Sequence, residues 1–379
     1  MKLNKNKGIT LIALIITIII LLILAGISIS ALTQTGLFSR AKQAEQLSKE
    51  KQEEENTTLE TYENEIDKYL EKNSGETPSE PKEIKLVDKL NDGTIKIGDY
   101  IKYTPDTVTS TDKSYTDLLS NLTTYSGNTD STKNTTSTLT QEKLNWRVLD
   151  VTDDGQVRLI SELPTTSKIT LKGYNGYNNA VKLFDDACST LYINKQLANK
   201  TQNIKIEDIT KYMTTQVTEG TTVSLANITY PKILEQEENQ TVENSTTQNK
   251  LGLSSQSTFV VGKDISKTST LTATFWSKSM TESNLKKGYY ELFINNGEKN
   301  YDTYWMSSRC FFTGSDYASF DVRVVNAGDV GAYGLYYSNG YESPNDCAFR
   351  PVVTLNSNVQ IDTSNSGDGS TAAQGYAIK

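Results

Sequence analysis

The amino-acid sequence predicts an α+β fold in which a long N-terminal transmembrane and stalk helix precedes a β-rich globular head with one or two packed helices. Two features of the residue pattern predict this fold. Residues 9–29 are almost all apolar, and apolar residues at helical spacing continue through residues 30–73. After a proline-containing linker, residues 74–82, apolar and polar residues alternate as in strands across residues 83–361, which are called the head. The last residues, 362–379, are predicted to form a flexible tail.

The composition excludes several classes of function. The 379-residue chain has a formal net charge of −8, so it offers no basic field for phosphates and we expect no nucleic-acid partner. It contains no histidine, which removes the usual general base at neutral pH and the commonest zinc ligand. No Gly-rich phosphate loop or calcium loop occurs in the sequence. We therefore expect a non-enzymatic protein with no catalytic residues, no metal site and no cofactor.

The apolar run is long enough to cross a membrane. At about 1.5 Å per residue, a helix over residues 9–29 spans about 30 Å, which matches the hydrocarbon thickness of a lipid bilayer. Lysines precede it in residues 1–8 and acids follow it in residues 45–55, so we expect a single-pass cell-membrane protein with a cytoplasmic N-terminus and an extracellular head. Its membrane anchor includes Ile9, Leu14, Ile20, Leu24 and Ile29. A cleaved secretory signal peptide and a plain uncleaved anchor are the alternatives.

The start of the apolar run resembles the leader of type IV prepilins and pseudopilins. Residues 1–8 form a short basic leader that ends in glycine, and Gly8 meets the apolar run at Ile9. In that family a prepilin peptidase cuts after the glycine, so the resemblance implies cleavage between Gly8 and Ile9 and contact with other pilin-like subunits. Ile9 and Ala13 stand where the family usually has phenylalanine and glutamate. Because Ala13 cannot pair with the terminal amine of a neighbouring subunit, we expect inefficient assembly into a homopolymer, while cleavage and residence in the membrane are still expected.

The first part of the head is predicted to contain strands. Residues 94–103 and 145–151 alternate between apolar and polar side chains, and the turn sequence Asp153–Gly155 leads into a hairpin partner at residues 156–161. Residues 104–140 are rich in Ser, Thr and Asn and show no apolar period. That segment is therefore predicted to be a long mobile surface loop.

One amphipathic helix is predicted to pack on the sheet. Apolar residues recur at helical spacing over residues 178–194, with Cys188 on the apolar face, and a second short helix is predicted over residues 206–213. Together with Cys310 and Cys347, Cys188 permits one disulfide at most. The spacing does not select the pair.

The C-terminal third shows the strongest strand pattern. Residues 304–309, 318–325 and 347–355 are predicted strands separated by Gly, Asn, Asp and Ser turns. Their Tyr-Trp and Arg-Pro-Val-Val motifs, with the earlier Trp-Arg-Val-Leu, resemble an uncharacterised domain family in surface proteins of Gram-positive bacteria. The Phe-Arg-Pro-Val strand is also similar to those of C-type-lectin-like and formylglycine-generating-enzyme-like folds.

Tyrosines near the C-terminus form the candidate ligand surface. Tyr333, Tyr336, Tyr337 and Tyr341 lie among glycines, a composition able to stack on glycans or on a host or cell-wall surface, and Arg323 is the candidate cation for binding an acidic group of the ligand. A half-exposed β-surface explains the same tyrosines. Arg309, Arg323 and Arg350 are expected to pair with acids such as Asp302, Asp321 or Asp346.

The sequence thus predicts a pilin-like, membrane-anchored cell-surface protein whose head serves surface assembly, adhesion or ligand contact. The alternatives are a surface-anchored carbohydrate-binding module and, less favoured, a carboxylate-dependent hydrolase. The segment Leu163–Ser167 is close to a sortase signal, but its final glycine and a C-terminal apolar tail are absent, so we discard that interpretation.

Overall fold

A computed structural model describes residues 83–128, 139–215, 222–225, 229–232, 253–260, 264–266, 271–274, 278–313 and 316–379. A compact unit runs from Glu83 to Lys379. The predicted leader, membrane span, stalk and linker lie outside the described residues, as do the anchor positions Ile9, Leu14, Ile20, Leu24 and Ile29 and the processing site at Gly8. None of the helices in the described ranges has the length and apolarity needed to cross a bilayer.

The described part of the head is β-rich, with few helices. Its helices are α1 (Leu86–Asn91), α2 (Lys113–Tyr125), α3 (Gly173–Tyr192), α4 (Ile206–Thr210) and α5 (Tyr289–Phe293). Its strands are β1 (Tyr100–Lys102), β2 (Trp146–Val151), β3 (Val157–Ser161), β4 (Lys168–Lys172), β5 (Ala198–Asn203), β6 (Thr222–Leu225), β7 (Thr229–Pro231), β8 (Asp264–Ser266), β9 (Leu271–Thr274), β10 (Lys278–Ser279), β11 (Tyr304–Thr313), β12 (Ala318–Asn326), β13 (Asp329–Tyr337), β14 (Pro344–Ala348), β15 (Pro351–Leu355) and β16 (Tyr376–Ala377).

Most of these strands belong to two sheets. The first has the order β16-β1-β2-β3-β15-β5, and the second has the order β10-β13-β12-β11-β14-β4. The predicted hairpin is confirmed, because β2 and β3 pair from Trp146 with Ser161 to Val151 with Val157 across a turn at Gly155. The first predicted strand, residues 94–103, is shorter than expected. Its start forms turns instead, where the carboxylates of Asp92 and Asp99 accept hydrogen bonds from nearby backbone N–H groups.

The last predicted strand divides between the two sheets. Residues 347–355 read as one strand in the sequence, but the chain leaves the second sheet after β14 and enters the first at β15. Phe349 and Arg350 make this crossing, and both are fully buried. The crossing therefore places the Arg350 side chain in the interior, next to the end of β3.

Helix α3 packs against strands of both sheets and confirms the predicted helix over residues 178–194. Its apolar face includes Phe184, whose ring lies 5.8 Å from the Trp305 ring, and Cys188. A second hydrophobic cluster surrounds Ile160, Phe293 and Tyr304. All three cysteines are buried and free, so the disulfide that the sequence permitted does not form.

The prediction of a loop over residues 104–140 is wrong. Residues Lys113–Tyr125 form α2, which buries Leu118 and Leu122, and the Tyr115 hydroxyl donates a 2.5 Å hydrogen bond to the Leu139 carbonyl. The apolar residues of α2 recur at spacings of three and four, a period that the surrounding Ser and Thr residues concealed. Residues 129–138 of this segment lie outside the described ranges.

The tail predicted over residues 362–379 is part of the fold. Its strand β16 pairs in parallel with β1, where Ile101 lies opposite Tyr376. The Gly367 N–H donates to the Gly375 carbonyl, and the Lys379 N–H donates to the Gln360 carbonyl. Backbone pairing holds this segment although its sequence has almost no apolar period, so the head extends to Lys379.

Candidate functional site

A cleft of about 640 Å³ opens between two loops that follow β3 and α5. Its volume lies within the range of about 300–1,000 Å³ that is typical of small-molecule sites. We call it the cleft. It is lined by Leu163, Pro164, Thr165, Thr166, Lys168, Asn296, Lys299, Asn300, Tyr301, Asp302, Thr303, Tyr333, Asp346, Cys347 and Ala348.

The first wall is the segment of residues 162–167. The Glu142 carboxylate accepts two hydrogen bonds from this segment, from the Thr166 N–H and the Ser167 N–H, each 2.8 Å long. The Thr165 hydroxyl donates to the Ser167 carbonyl and accepts from the Phe349 N–H. An ionised acceptor makes such bonds stronger than neutral ones, so this wall is held in one conformation.

The second wall is the segment of residues 295–303. Hydrogen bonds of asparagine side chains fix its conformation. The Asn295 amide oxygen accepts from the Gly297 N–H at 2.8 Å, and the Asn296 amide oxygen accepts from the Lys299 N–H at 2.9 Å. The Asn295 amide also donates to the Asn300 amide oxygen at 3.0 Å. Gly328 makes room for Asn300, because a Cβ atom there would lie 2.8 Å from the Asn300 amide nitrogen. Both walls are therefore organised before any ligand arrives.

Arg350 connects the two walls from the interior. Its guanidinium donates to the carbonyls of Ser161 at 3.0 Å and Glu162 at 2.9 Å, where the first wall begins. The same guanidinium lies 4.3 Å from the centre of the Tyr301 ring in the second wall. The expectation that Arg350 pairs with an acid is therefore wrong, because the crossing between the sheets brings it to backbone carbonyls and aromatic rings instead.

Arg309 and Arg323, which were also expected to pair with acids, are buried as well. Arg309 donates to the carbonyls of Asn178 and Ser255, and lies 5.8 Å from the centre of the Tyr177 ring. Arg323 lies close enough to Asp321 to lower its pKa. Burial acts more strongly and raises the pKa of Asp321 to about 6, while the Ser319 hydroxyl and Arg323 oppose it.

The polar groups of the cleft carry both signs of charge. The Lys168 ammonium lies 3.5 Å from the Asp346 carboxylate, on adjacent strands β4 and β14. Lys299 and Asp302 stand in the second wall. Hydroxyl-bearing threonines and asparagine amides complete the lining, so the cleft offers hydrogen-bond donors and acceptors together.

The structure divides the predicted ligand surface into three parts. Tyr333 lines the cleft, and its ring meets the Trp305 ring edge-on at 5.9 Å. Tyr337 and Tyr341, whose rings lie 5.5 Å apart, belong to a separate surface where Tyr341 is 62% exposed. Tyr336 and Arg323 lie in the core instead, at 1% and 0% exposure, and cannot contact a ligand.

A change in strand register sets the faces on which Tyr336 and Tyr337 lie. Along β12 and β13, Val322 pairs with Tyr333 and Phe320 pairs with Tyr336, with an irregularity between Phe320 and Asp321. Paired residues share a face, so the irregularity puts Tyr333 and Tyr336 on the same face although they are three residues apart. Simple alternation in the sequence could not reveal this.

Sequence reasoning missed most of the cleft. The sequence pattern does not single out Tyr301, Lys168 or the Asn295–Asn300 segment, and it indicates Leu163–Ser167 only as a near match to a sortase signal. The one available signal was local: two asparagines before Gly297 indicate an ordered turn. The segments meet only through the fold.

A second group of charged side chains is structural. Arg158 donates two hydrogen bonds to the Asp150 carboxylate, at 2.6 and 2.5 Å, and a third to Asp208 at 2.6 Å. Tyr212 donates to Asp150, and Lys211 lies 3.3 Å from it. Burial by itself would raise the pKa of Asp150, but Arg158, Tyr212 and Lys211 together lower it. These carboxylates already have their partners and leave no group for chemistry.

Across the part of the chain that the structure describes, no three Cys, Asp or Glu side chains are grouped so that they could hold a metal ion. Comparisons of the chain with models of protein families, with characterised proteins and with solved structures find no match.

Proposed function

We propose that this chain is a pilin-like, membrane-anchored surface protein whose head binds carbohydrate in the cleft. One observation carries the proposal: the half-buried Tyr333 ring lines a cleft whose other side chains both donate and accept hydrogen bonds. The second tyrosine of the lining, Tyr301, is 4% exposed and supports the wall from behind. The cleft replaces the wider tyrosine surface, including Tyr336 and Arg323, that the sequence predicted.

The chemistry of the cleft fits a sugar. A pyranose has apolar C–H faces that pack on aromatic rings, and each of its hydroxyls both donates and accepts a hydrogen bond. A site that must pack against a sugar ring and also donate and accept hydrogen bonds depends on side chains that are held in place before the ligand binds. Glu142 and Arg350 support the first wall, and Asn295 and Asn296 support the second.

Surface display rests on the N-terminal sequence. The basic leader, the junction of Gly8 with Ile9 and the apolar residues 9–29 support a single-pass protein with its head outside the cell. The long transmembrane and stalk helix and a C-type-lectin-like head are parts of the same proposal. Mass spectrometry of the membrane-bound protein tests it: a chain that begins at Ile9 supports pilin-like processing, and one that begins at Met1 in cells with the peptidase contradicts it.

Glycan binding is tested with the full-length chain in detergent micelles on an array of cell-wall and host glycans. We expect Tyr333→Ala and Asn296→Ala to weaken the binding by about tenfold or more. Tyr341→Ala is the matched control, because it removes an exposed tyrosine that lies outside the cleft. A chain that binds no glycan, or variants that all bind like the unmodified chain, would contradict the proposal.

A further inference from the structure

The charges around the cleft are balanced. Its lining holds two cations, Lys168 and Lys299, and two anions, Asp302 and Asp346. Lys168 and Asp346 are 3.5 Å apart on β4 and β14, beside the first wall. Lys299 and Asp302 line the cleft from the second wall, which also carries the exposed Glu298 outside the lining. No excess positive charge is available for an acidic ligand.

The charged groups behind the lining keep the balance. Glu142 lies behind the first wall and binds backbone N–H groups, while Arg350 lies behind Tyr301 and binds backbone carbonyls. These two groups have opposite signs, and both are used in holding the walls. They therefore add no free charge to the lining of the cleft.

The hydrogen-bonding groups point to the same ligand class. A carboxylate or sulfate ligand accepts hydrogen bonds but cannot donate them, so the carboxylates of Asp302 and Asp346 would repel it. A hydroxyl can donate to these carboxylates and accept from Lys168 and Lys299. The Asn296 amide oxygen is occupied by backbone N–H groups, so that side chain offers its N–H group to a ligand.

From this arrangement we infer that the cleft selects uncharged oligosaccharides and rejects acidic ones, with Asp302 and Asp346 as the residues that exclude anions. The inference rests on the proposed glycan-binding function and names its ligand class. It also predicts how the selectivity changes when the two aspartates are replaced. Removing both aspartate charges leaves Lys168 and Lys299, so the altered cleft carries two positive charges and should prefer acidic glycans.

Calorimetric titration of the full-length chain in detergent tests the inference. The probes are two uncharged oligosaccharides, cellohexaose and chitohexaose, and two acidic ones, a galacturonate hexamer and a hyaluronan hexasaccharide. We expect an uncharged probe to bind at least about tenfold more tightly than either acidic probe. In the Asp302→Asn/Asp346→Asn double variant we expect that preference to disappear or reverse. Both aspartates are exposed, so the variant should keep its fold, which its melting temperature checks.

The control is Asp153→Asn/Asp154→Asn, which removes two exposed carboxylates from the turn at the far end of β3 and should leave the preference unchanged. Acidic probes that bind the unmodified chain as tightly as uncharged ones, or a double variant with unchanged preference, would overturn the inference while the proposed glycan binding stands. Binding of none of the four probes, with a blank glycan array, would overturn both.

Discussion

The Arg350 guanidinium lies 4.3 Å from the centre of the Tyr301 ring while it donates hydrogen bonds to the carbonyls of Ser161 and Glu162. A single buried cation thus contacts both walls of the cleft. Cation–π contacts contribute about 2 kcal/mol or more when they are desolvated, and buried carbonyls need their donors. The stability of the head and the shape of the cleft therefore depend on the same side chain.

Replacing Arg350 tests this dependence. Arg350→Met removes the donors and leaves the buried carbonyls of Ser161 and Glu162 unsatisfied, so we expect the free energy of unfolding to fall by about 2–4 kcal/mol. Arg350→Lys keeps the charge but lacks the planar fork, so its loss should be smaller. Urea denaturation measures both variants. Equal stability of Arg350→Met and the unmodified chain would show that the contact with the walls is incidental.

Asp150 should stabilise the head at neutral pH. Its pKa is lowered in the folded state, mainly by Arg158 acting against the effect of burial. A carboxylate with a lowered pKa contributes stability above its unfolded pKa of about 4 and loses that contribution as the pH falls through the folded pKa. We expect Asp150→Asn to lower the free energy of unfolding by about 3 kcal/mol at pH 7, with a smaller loss at pH 3.

Urea denaturation of Asp150→Asn at pH 7, 5, 4 and 3 checks this expectation. Asp154→Asn is the control, because Asp154 is exposed in the turn of the same hairpin. A stability difference that is the same at all four pH values would show that the ion pair with Arg158 is not its source.

Asp321 should have the opposite pH dependence. Burial raises its pKa to about 6 in the folded state, against an unfolded value of about 4. Folding therefore favours the protonated form, and the cost of ionising it appears as the pH rises from about 4 to about 6 and persists above. Relative to Asp321→Asn, the unmodified chain should lose about 2 kcal/mol of unfolding free energy between pH 4 and pH 7.

Denaturation of both proteins across that pH range provides the measurement. Because Asn cannot ionise, the variant reports every other titrating group and isolates the contribution of Asp321. A difference between the two proteins that does not change from pH 4 to pH 7 would mean that folding does not raise the pKa of Asp321.

The three cysteines should not react in the folded protein. Burial raises the pKa of Cys310 and of Cys347 to about 12 and that of Cys188 well above its usual value, so the reactive thiolate is scarce. We expect an aromatic disulfide reagent to label no thiol in the native chain and three thiols in guanidinium chloride. Cys347 lines the cleft, so its labelling in the native state would show that the reagent reaches this thiol through the cleft.

Several features of the fold were predictable because they are local. The β2–β3 hairpin follows from alternation around a turn sequence, and α3 follows from apolar residues at helical spacing, with Cys188 on the buried face. Helix α2 has the same spacing, yet its Ser and Thr neighbours concealed it. The membrane span and the leader are also local patterns, and they stay predictions because residues 1–82 lie outside the described part.

The amino-acid sequence by itself determined that the head is β-rich with few helices, that histidine chemistry is excluded, and where the hairpin and the long helix lie. Only the tertiary structure decided the cleft, because its walls come from segments more than a hundred residues apart, such as Thr166 and Asn296. It also decided the faces of the tyrosines, since the irregular pairing of β12 with β13 places Tyr336 on the same face as Tyr333 and Tyr337 on the opposite face. Side-chain direction in a strand depends on its partner, and a single chain segment does not contain that information.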